Sequence, residues 1–226
     1  MIRIVQSGES GKTKYLFDMH RFRTRIFKES MQWDVNVDRN GLEIDDFDVP
    51  EAVYFLAFDN DDRVVGTWRL LPTTSPIMIK NVWPGFLNTI EIPSSPKAWE
   101  ASRFSVNSAK GASREGLAEV NKATKELFYA LTKVCLMCGI DEIYTMYDMS
   151  IGRLVKRINC EPYKRSEKLM VEGRESEVGA YRTDTVMLDN IIRACGGVPQ
   201  EFTREDLPPI LLDMYGAAHP PLRRVV

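Results

Sequence analysis

Residues 97–106, KAWEASRFSV, place two charged residues inside a stretch that is otherwise typical of a buried β-strand. The apolar and aromatic content predicts a strand, yet Glu100 and Arg103 lie in its centre, and unpaired charges are costly to bury. In a regular strand Glu100 and Ser102 face one way and Arg103 faces the other, because side chains alternate. If both charges serve one cleft, the strand needs a bulge near residues 101–103 that re-aims one of them.

Strands and helices alternate on both sides of this segment. Before it, residues 53–58 and 64–71 flank the turn DNDD and predict a hairpin. After it, an apolar stripe predicts a helix from about residue 114 to 138, with Gly139 as its C-terminal stop. The other predicted elements are a strand at 1–5, a helix within 11–30, a strand at 140–147, a short helix at 150–158, a strand pair at 163–171 and 178–187, and a small helix at 188–194. Without repeats or a linker, this order predicts one α/β domain over residues 1–226.

The composition is that of an ordinary globular protein without a general attraction for polyanions. The chain has 226 residues, of which 44% are hydrophobic, and 30 lysines and arginines stand against 32 acids, so a sizeable core is expected. A formal net charge of -2 gives no reason to expect nucleic acid or a membrane surface as a partner. We find no apolar run of spanning length and no signal-peptide pattern, so we expect a cytoplasmic location.

The cysteines and histidines do not predict a metal site or a disulfide framework. Cys135 and Cys138 form a C-x-x-C pair, but the pair falls on the apolar stripe of the predicted helix, which favours packed core thiols. His20 and His219 lie far from them in sequence. We therefore expect neither a metal nor a cofactor.

Residues 31–50 have no regular period and combine carboxylates with aromatic residues. The run GLEIDDFD contains Glu43, Asp45 and Asp48, and Trp33 and Phe47 lie close by. Such a run is often a solvated acidic loop. The aromatic residues favour a second interpretation, in which the loop is a lid over a cationic ligand.

Taken in order, these elements resemble the acyl-homoserine lactone synthases of bacterial quorum sensing, the LuxI-type autoinducer synthases. The resemblance covers the first half of the chain and rests on Arg23-x3-Phe27-x5-Trp33, Glu43-x-Asp45-x2-Asp48, Arg69 in GTWRLLPT, and Glu100, Ser102 and Arg103 in WEASRF. It implies a three-layer αβα sandwich related to the GCN5-type N-acetyltransferases, with a mixed twisted sheet and a cleft. It also implies that an acyl group passes from acyl carrier protein or acyl-CoA to S-adenosylmethionine, which is a substrate rather than a cofactor. Lactonisation would then release methylthioadenosine. Two alternatives stay open, an N-acyltransferase acting on another amine and a non-catalytic ligand-binding relative.

The resemblance assigns roles to the charged and aromatic residues. The candidate catalytic residues are Glu100, as a base acting through water, with Arg69, Asp45, Asp48, Ser102 and Arg103. The candidate substrate-binding residues are Arg23, Phe27, Trp33 and Phe104, although Trp33 and Phe104 could equally be plain core aromatics. The three arginines and the acids Asp45, Asp48 and Glu100 allow a neutral ion cluster, in which we expect Arg69 and Glu100 to be partners. The cluster could be purely structural or could contact substrate.

The acyl donor leaves fainter signals in the second half of the chain. The acyl pocket is expected to use Met137, Ile143, Tyr144, Thr145, Met146 and Leu169. The loop VNSAKGASREG could hold a pantetheine phosphate through Ser108, Lys110, Gly111 and Ser113, or it could be a flexible polar loop. It lacks the Q/R-x-x-G-x-G/A pattern of acetyltransferases, which lowers the case for coenzyme A. Arg153, Arg157 and Lys164 form a basic patch that suits an acidic carrier protein, although a solvated helix face or a coenzyme A nucleotide site are competing interpretations.

Overall fold

A computed structural model describes residues 1–107 and 122–220, and in these residues strands form one mixed sheet between two layers of helices. The strands are β1 (Ile2–Gln6), β2 (Val53–Phe58), β3 (Val64–Pro72), β4 (Ala98–Val106), β5 (Glu142–Asp148), β6 (Lys164–Arg165), β7 (Leu169–Val171) and β8 (Arg174–Arg182). The α-helices are α1 (Thr13–Arg23), α2 (Met78–Asn81), α3 (Lys122–Cys138), α4 (Met149–Arg157), α5 (Thr185–Cys195) and α6 (Pro209–Ala218). A π-helical segment, Thr24–Ser30, continues α1, and short 3-10 turns lie at Pro84–Asn88 and Arg204–Asp206.

The sheet order is β1-β2-β3-β4-β5-β8-β6, with β7 also paired to β8. Neighbouring strands are antiparallel except β4 and β5, which run parallel. All six residues of β2 are buried, because this strand is covered on both faces. The predicted three-layer fold with a mixed sheet is confirmed.

Each face of the sheet carries its own hydrophobic core. On one face Leu127, Leu131 and Val134 of α3 pack with residues of the sheet, α4, α5 and α6. On the other face Met19 and Phe22 of α1 pack with the buried side chains of the connection between β3 and β4. Alternation along β5 separates the two cores, since Ile143 and Tyr147 belong to the first and Tyr144 to the second. A ligand that passes between β4 and β5 can therefore reach both layers.

Several predicted elements are confirmed and others need correction. The first strand, the hairpin, the strand at β5 and the helix at α4 are found where expected, and Gly139 ends α3 with a φ of 66°. The start of the long helix predicted from residue 114 lies outside the described residues. The predicted strand 178–187 is wrong beyond Arg182, because Asp184 accepts a hydrogen bond from the Met187 N–H and begins α5. Helices α2 and α6 were not predicted.

The interpretation of the C-x-x-C pair as core thiols is confirmed. Cys135 and Cys138 are buried and free on the inner side of α3. Burial raises the pKa of Cys135 well above its usual value and that of Cys138 to about 12. Among the described residues no group of histidines, cysteines and acids could hold a metal ion. No helix in this part of the chain has the length and apolarity needed to cross a membrane.

Candidate active site

A cavity of about 500 Å³ lies where the two parallel strands diverge. Only Ala98–Glu100 of β4 pair with Glu142–Tyr144 of β5, although both strands continue beyond this point. The cavity is lined there by Ser102 and Phe104 on β4 and by Thr145 on β5. The divergence is the cleft expected of the fold.

A bulge is present in β4, at Arg103 and Phe104, and it changes the direction of Arg103, although Glu100 does not line the same cavity. Ser102 pairs with Arg69 and Ser105 with Thr67, so Trp68 of β3 stands opposite two residues, Arg103 and Phe104. Arg103 has a φ of 56°, in the left-handed region that a side chain enters only with strain. The extra residue turns the guanidinium of Arg103 toward the same acidic loop that Arg69 contacts.

Three arginines and three acids form a buried cluster beside the cavity. Arg23 on α1, Arg69 on β3 and Arg103 on β4 meet Glu43, Asp45 and Asp48, which all come from the loop between α1 and β2. Both terminal nitrogens of the Arg23 guanidinium donate to Asp48, at 2.8 and 3.0 Å, and its Nε donates to Glu43. Equal numbers of each sign make the cluster neutral, as a buried ionic group requires.

The other two arginines share Asp45. Arg69 donates to both Asp45 oxygens, at 2.5 and 3.1 Å, and to Asp48 at 2.8 Å. Arg103 lies 2.8 Å from Asp45 and 3.0 Å from Glu43. Asp45 and Arg103 keep 13% and 12% of their side-chain surface exposed and line the cavity, whereas Arg23 and Arg69 are fully buried behind them.

The cluster fixes the ionisation of its members. Burial alone raises the pKa of Asp48, but the charges of Arg23 and Arg69 outweigh it and hold that pKa well below its usual range. The pKa of Asp45 is lowered in the same way, with Arg69 as the largest opposing charge to its burial. Burial lowers the pKa of Arg103 despite its acidic neighbours. At neutral pH all these groups stay charged, and Asp45 and Asp48 are weak bases.

Glu100 is not a member of this cluster, and its predicted ion pair with Arg69 is wrong. Its strand does neighbour that of Arg69, but the fully buried carboxylate accepts hydrogen bonds from the N–H groups of Met78 and Ile79, at 3.1 and 2.7 Å. These groups begin α2, so Glu100 satisfies the free donors of that helix. Burial raises the pKa of Glu100, against the effect of those hydrogen bonds. Glu43 takes the place in the cluster that was predicted for Glu100.

Aromatic rings form the wall of the cavity next to the cluster. Phe27 and Trp33 stack with centroids 5.3 Å apart and planes 3° apart, and the Arg103 guanidinium lies 5.4 Å from the Phe27 ring centre. The backbone N–H of Trp33 also donates to the backbone carbonyl of Phe27 at 2.9 Å, which fixes the backbone of Trp33 at the cavity edge. Phe104 packs edge-on against Trp68, deeper in the cavity. Neither Trp33 nor Phe104 is therefore only a core residue.

The predicted site residues divide into three sets. Those that line the cavity are Phe27, Trp33, Asp45, Ser102, Arg103, Phe104, Ile143, Thr145 and Met146, and those buried behind it are Arg23, Asp48, Arg69 and Glu100. The pocket assignments of Met137, Tyr144 and Leu169 are wrong, because these side chains do not line the cavity. Tyr144 points to the opposite face of the sheet, where its hydroxyl donates to Glu142 at 2.9 Å.

Sequence reasoning missed several cavity residues on the α3 side. They are Trp68, Phe128, Leu131, Thr132, Tyr147, Val155, Tyr181 and Met187. Leu131 was visible only as part of an apolar stripe, and the position of Trp68 depends on the bulge opposite it. The side-chain alternation of β5 could have placed Tyr147 with Thr145, since the two residues lie two apart.

The predicted carrier-binding residues are only partly described. Lys110 and Gly111, with Ser108 and Ser113, lie outside the described residues. Arg153 and Arg157 are exposed on α4, and Lys164 is exposed on β6. Neither arginine of α4 takes part in an ion pair with another residue of the described chain. Asp148, at the start of α4, accepts from the Ser150 N–H and pairs with Arg174 at the cavity edge.

Comparison with known proteins places this geometry in a family. The family model described as autoinducer synthase matches residues 9–181. The chain is similar to the acyl-homoserine-lactone synthase of Pseudomonas aeruginosa, with 35% identity over 70% of this chain and 78% of the relative. Among solved structures, that of the synthase LasI covers 90% of this chain and 98% of its own, with 30% identity and a TM-score of 0.71. The CoA-dependent synthase BjaI, solved with MTA, covers 96% of this chain and 99% of its own at 23% identity, with a TM-score of 0.77, and shares the fold. The chain therefore belongs to the autoinducer synthase family, the acyl-homoserine-lactone synthases.

Proposed function

We propose that the protein transfers an acyl group from a thioester to the α-amine of S-adenosylmethionine and closes the product to an N-acyl-homoserine lactone. The observation that carries the proposal is the two-sided cavity at the divergence of β4 and β5. One side presents carboxylates and aromatic rings, which suit a cationic nucleoside, and the other presents apolar side chains, which suit an acyl chain. A structure of BjaI was solved with SAM and isopentyl-CoA, which supports S-adenosylmethionine and a thioester donor as the substrates here.

The loop between α1 and β2 supplies the groups proposed to bind S-adenosylmethionine. Trp33 offers a partly exposed indole, and Asp34 and Asp46 bring carboxylates to the cavity edge. A sulfonium next to an aromatic face and near carboxylates is stabilised by cation–π and Coulomb attraction. Arg103, which is bound to two acids but lines the cavity, is the group proposed to face the methionine carboxylate.

In the first step the neutral α-amine attacks the thioester carbonyl. A C–N bond forms, the C–S bond breaks, and the carrier leaves as a thiol that takes up one proton. The oxyanion needs donors in place before the reaction. The N–H groups of Arg103 and Phe104 are the candidates, because the bulge leaves both residues without a register partner on β3.

The amine proton is proposed to leave through water in the cavity. The carboxylate of Asp45 lines the cavity but is a weak base, and Glu100 has both oxygens engaged by Met78 and Ile79. Glu100 then acts as a positioning residue, because α2 carries Met78 and Ile79 into the cavity wall. This differs from the catalytic role that the resemblance implies for it.

In the second step the methionine carboxylate attacks its own γ-carbon. A C–O bond forms, the C–S bond of the sulfonium breaks, and neutral methylthioadenosine leaves. The sulfonium is already a good leaving group, so the protein mainly has to hold the methionine chain in a folded conformation. The aromatic wall of Phe27 and Trp33 and the guanidinium of Arg103 lie close enough to one another to do so.

Expression in a host that makes no homoserine lactone tests the proposal. Mass spectrometry of culture extracts is expected to detect an N-acyl-homoserine lactone, and purified protein should release methylthioadenosine in equal amount. Acylated S-adenosylmethionine without lactone would contradict the second step. If the protein releases the free thiol of the donor only in the presence of an amine other than S-adenosylmethionine, it is an N-acyltransferase for that amine rather than a lactone synthase.

The carrier is proposed to be acyl carrier protein, which docks across Arg153, Arg157 and Lys164. These exposed cations would attract an acidic carrier and raise its association rate. Reversing Arg153 and Arg157 to Glu should raise the Michaelis constant for acyl carrier protein at least tenfold, while acyl-pantetheine reacts as before. A preference for acyl-CoA that survives the reversal would exclude the docking, and equal loss with both donors would indicate a damaged fold.

A further inference from the structure

The apolar side of the cavity ends in hydroxyl groups. Phe128 and Leu131 of α3 and Val155 of α4 form its apolar wall, and Thr132, Tyr147 and Tyr181 also line it. Thr132 has no exposed surface and Tyr181 keeps only 5%. A pocket for a plain hydrocarbon chain has no need of these three hydroxyls.

Two of the hydroxyls make no hydrogen bond of good geometry to the described part of the chain. They are Thr132 Oγ1 and the Tyr181 hydroxyl, which are both buried. The Tyr147 hydroxyl lies close enough to that of Tyr181 to interact with it and to raise its pKa. The third, on Tyr147, donates to Glu177 at 2.8 Å. Most buried polar groups are paired, so an unpaired one beside a cavity indicates a partner that arrives with the ligand.

The chain makes room for the two phenol rings. Tyr147 and Tyr181 lie with ring centres 6.3 Å apart, and both rings border the position that a Cβ at Gly179 would take. A Cβ at Gly179 would come within 2.8 Å of the Tyr181 ring and 2.9 Å of the Tyr147 ring. Burial raises the pKa of Tyr147 to about 12 and that of Tyr181 further, so both phenols keep their protons at neutral pH.

Tyr181 stands two strands away from β4. Tyr181 is on β8, and β5 stands between β8 and β4. Two strand spacings are about 10 Å. If acyl transfer occurs at the gap between β4 and β5, a group that reaches Tyr181 is separated from the thioester by several carbons.

We propose, on the basis of the function proposed above, that the preferred acyl group carries a hydroxyl or carbonyl oxygen several carbons away from the thioester. Tyr181 and Thr132 bind this oxygen. A site built to bond an oxygen discriminates against the chain that lacks it, because its own buried hydroxyls are then left unpaired.

The test compares saturated acyl thioesters of six to twelve carbons with their terminal-hydroxyl and β-hydroxyl counterparts. Each is presented on acyl carrier protein and on CoA, and kcat/KM is measured from lactone formation. We expect one terminal-hydroxyl donor to exceed its plain counterpart about tenfold or more. Tyr181→Phe and Thr132→Val, which keep the apolar bulk, should each remove most of that preference by slowing the hydroxylated donor. Tyr129→Phe, which removes a phenol on the outer side of the cavity wall, is the matched control and should leave the ratio unchanged.

Lactone formation without a preference for any terminal-hydroxyl donor would overturn this inference and leave the proposed function intact. A preference that persists in both Tyr181→Phe and Thr132→Val would also overturn it. A preference limited to the β-hydroxyl donors would place the bound oxygen next to the thioester instead. Absence of lactone from every donor would overturn the proposed function, and this inference with it.

Discussion

The sharpest prediction concerns Asp48, which receives more hydrogen bonds than any other acid described in the cluster. Its oxygens accept from two nitrogens of Arg23, from Arg69 at 2.8 Å, from the Tyr54 hydroxyl at 2.7 Å and from the Asp45 N–H at 2.9 Å. Asp48→Asn removes one of three negative charges and turns an amide group toward guanidinium donors. The cluster then carries an uncompensated positive charge in a buried site.

Breaking a buried ion pair by removing one partner costs about 3–5 kcal/mol, and a domain of this kind has about 5–15 kcal/mol in total. Asp48→Asn is therefore expected to lower the free energy of unfolding by about 3–5 kcal/mol. Urea unfolding followed by tryptophan fluorescence measures the change. Asp46→Asn, at the exposed acid two residues earlier, is the control and should stay within about 0.5 kcal/mol. A decrease in the free energy of unfolding of less than about 1 kcal/mol for Asp48→Asn would mean that the cluster stabilises the protein no more than a surface ion pair does.

The pH dependence has a definite sign. The pKa of Asp48 lies below its ordinary value of 3.8 in the folded protein, so the unfolded chain binds its proton first as the pH falls. The stability that Asp48 contributes is present above the pKa that Asp48 has in the unfolded chain, and it is lost as the pH falls through the pKa that Asp48 has in the folded protein. The difference in the free energy of unfolding between the wild type and Asp48→Asn should accordingly be largest near neutral pH and should decrease below about pH 4. A difference that stays constant down to pH 2 would contradict the charged role.

Three further predictions concern single residues. Glu100→Gln should lower the free energy of unfolding by about 1–3 kcal/mol, because it disturbs the hydrogen bonds from Met78 and Ile79. The pH profile of kcat should keep its shape, and loss of the acidic limb of that profile would identify Glu100 as the base. Gly179→Ala should lower the free energy of unfolding by about 1–3 kcal/mol in thermal unfolding, because the added Cβ meets two aromatic rings. Gly152→Ala, whose Cβ would lie 3.4 Å from its nearest neighbour, should leave the free energy of unfolding unchanged, and equal effects of the two substitutions would contradict the close packing at Gly179. Trp33→Ala should weaken S-adenosylmethionine binding about tenfold in calorimetry with little change in stability, and unchanged affinity would assign Trp33 to the core.

The residues of the ion cluster were largely predictable from the sequence, and their pairing was not. Arg23, Asp45, Asp48 and Arg69 were expected together on motif spacing, and the bulge was expected from the charge pattern of β4. The third acid was taken to be Glu100 because its strand neighbours that of Arg69. The choice between Glu43 and Glu100 depends on α2, a helix of only four residues whose free N–H groups bind Glu100. A helix this short leaves no periodic pattern in the sequence.

One boundary error and one missed helix could have been avoided from the local sequence, whereas the far wall of the cavity could not have been predicted. The end of β8 carried a usable signal, since Thr183 and Asp184 precede an apolar helical run and Asp184 is the N-cap of α5. Helix α6 also carried one, with Pro209 at its first position. The far wall of the cavity carried none, because it combines α3, α4, α5 and two strands, and their spatial order follows from the topology rather than from any local pattern.

The ion cluster joins the structural and the substrate-binding interpretations of its residues. Every acid in it comes from the loop between α1 and β2, and every arginine comes from a helix or a strand of the scaffold. That loop has little regular structure of its own in the described chain beyond a bridge from Val37 to Glu43. The three arginines therefore help to set its position, and with it the position of Trp33 and Asp46 at the cavity edge, together with the buried side chains of Leu42 and Phe47. A substitution such as Asp48→Asn, which does not touch the cavity, should then raise the KM for S-adenosylmethionine together with its effect on stability, because it releases the loop that carries the binding groups.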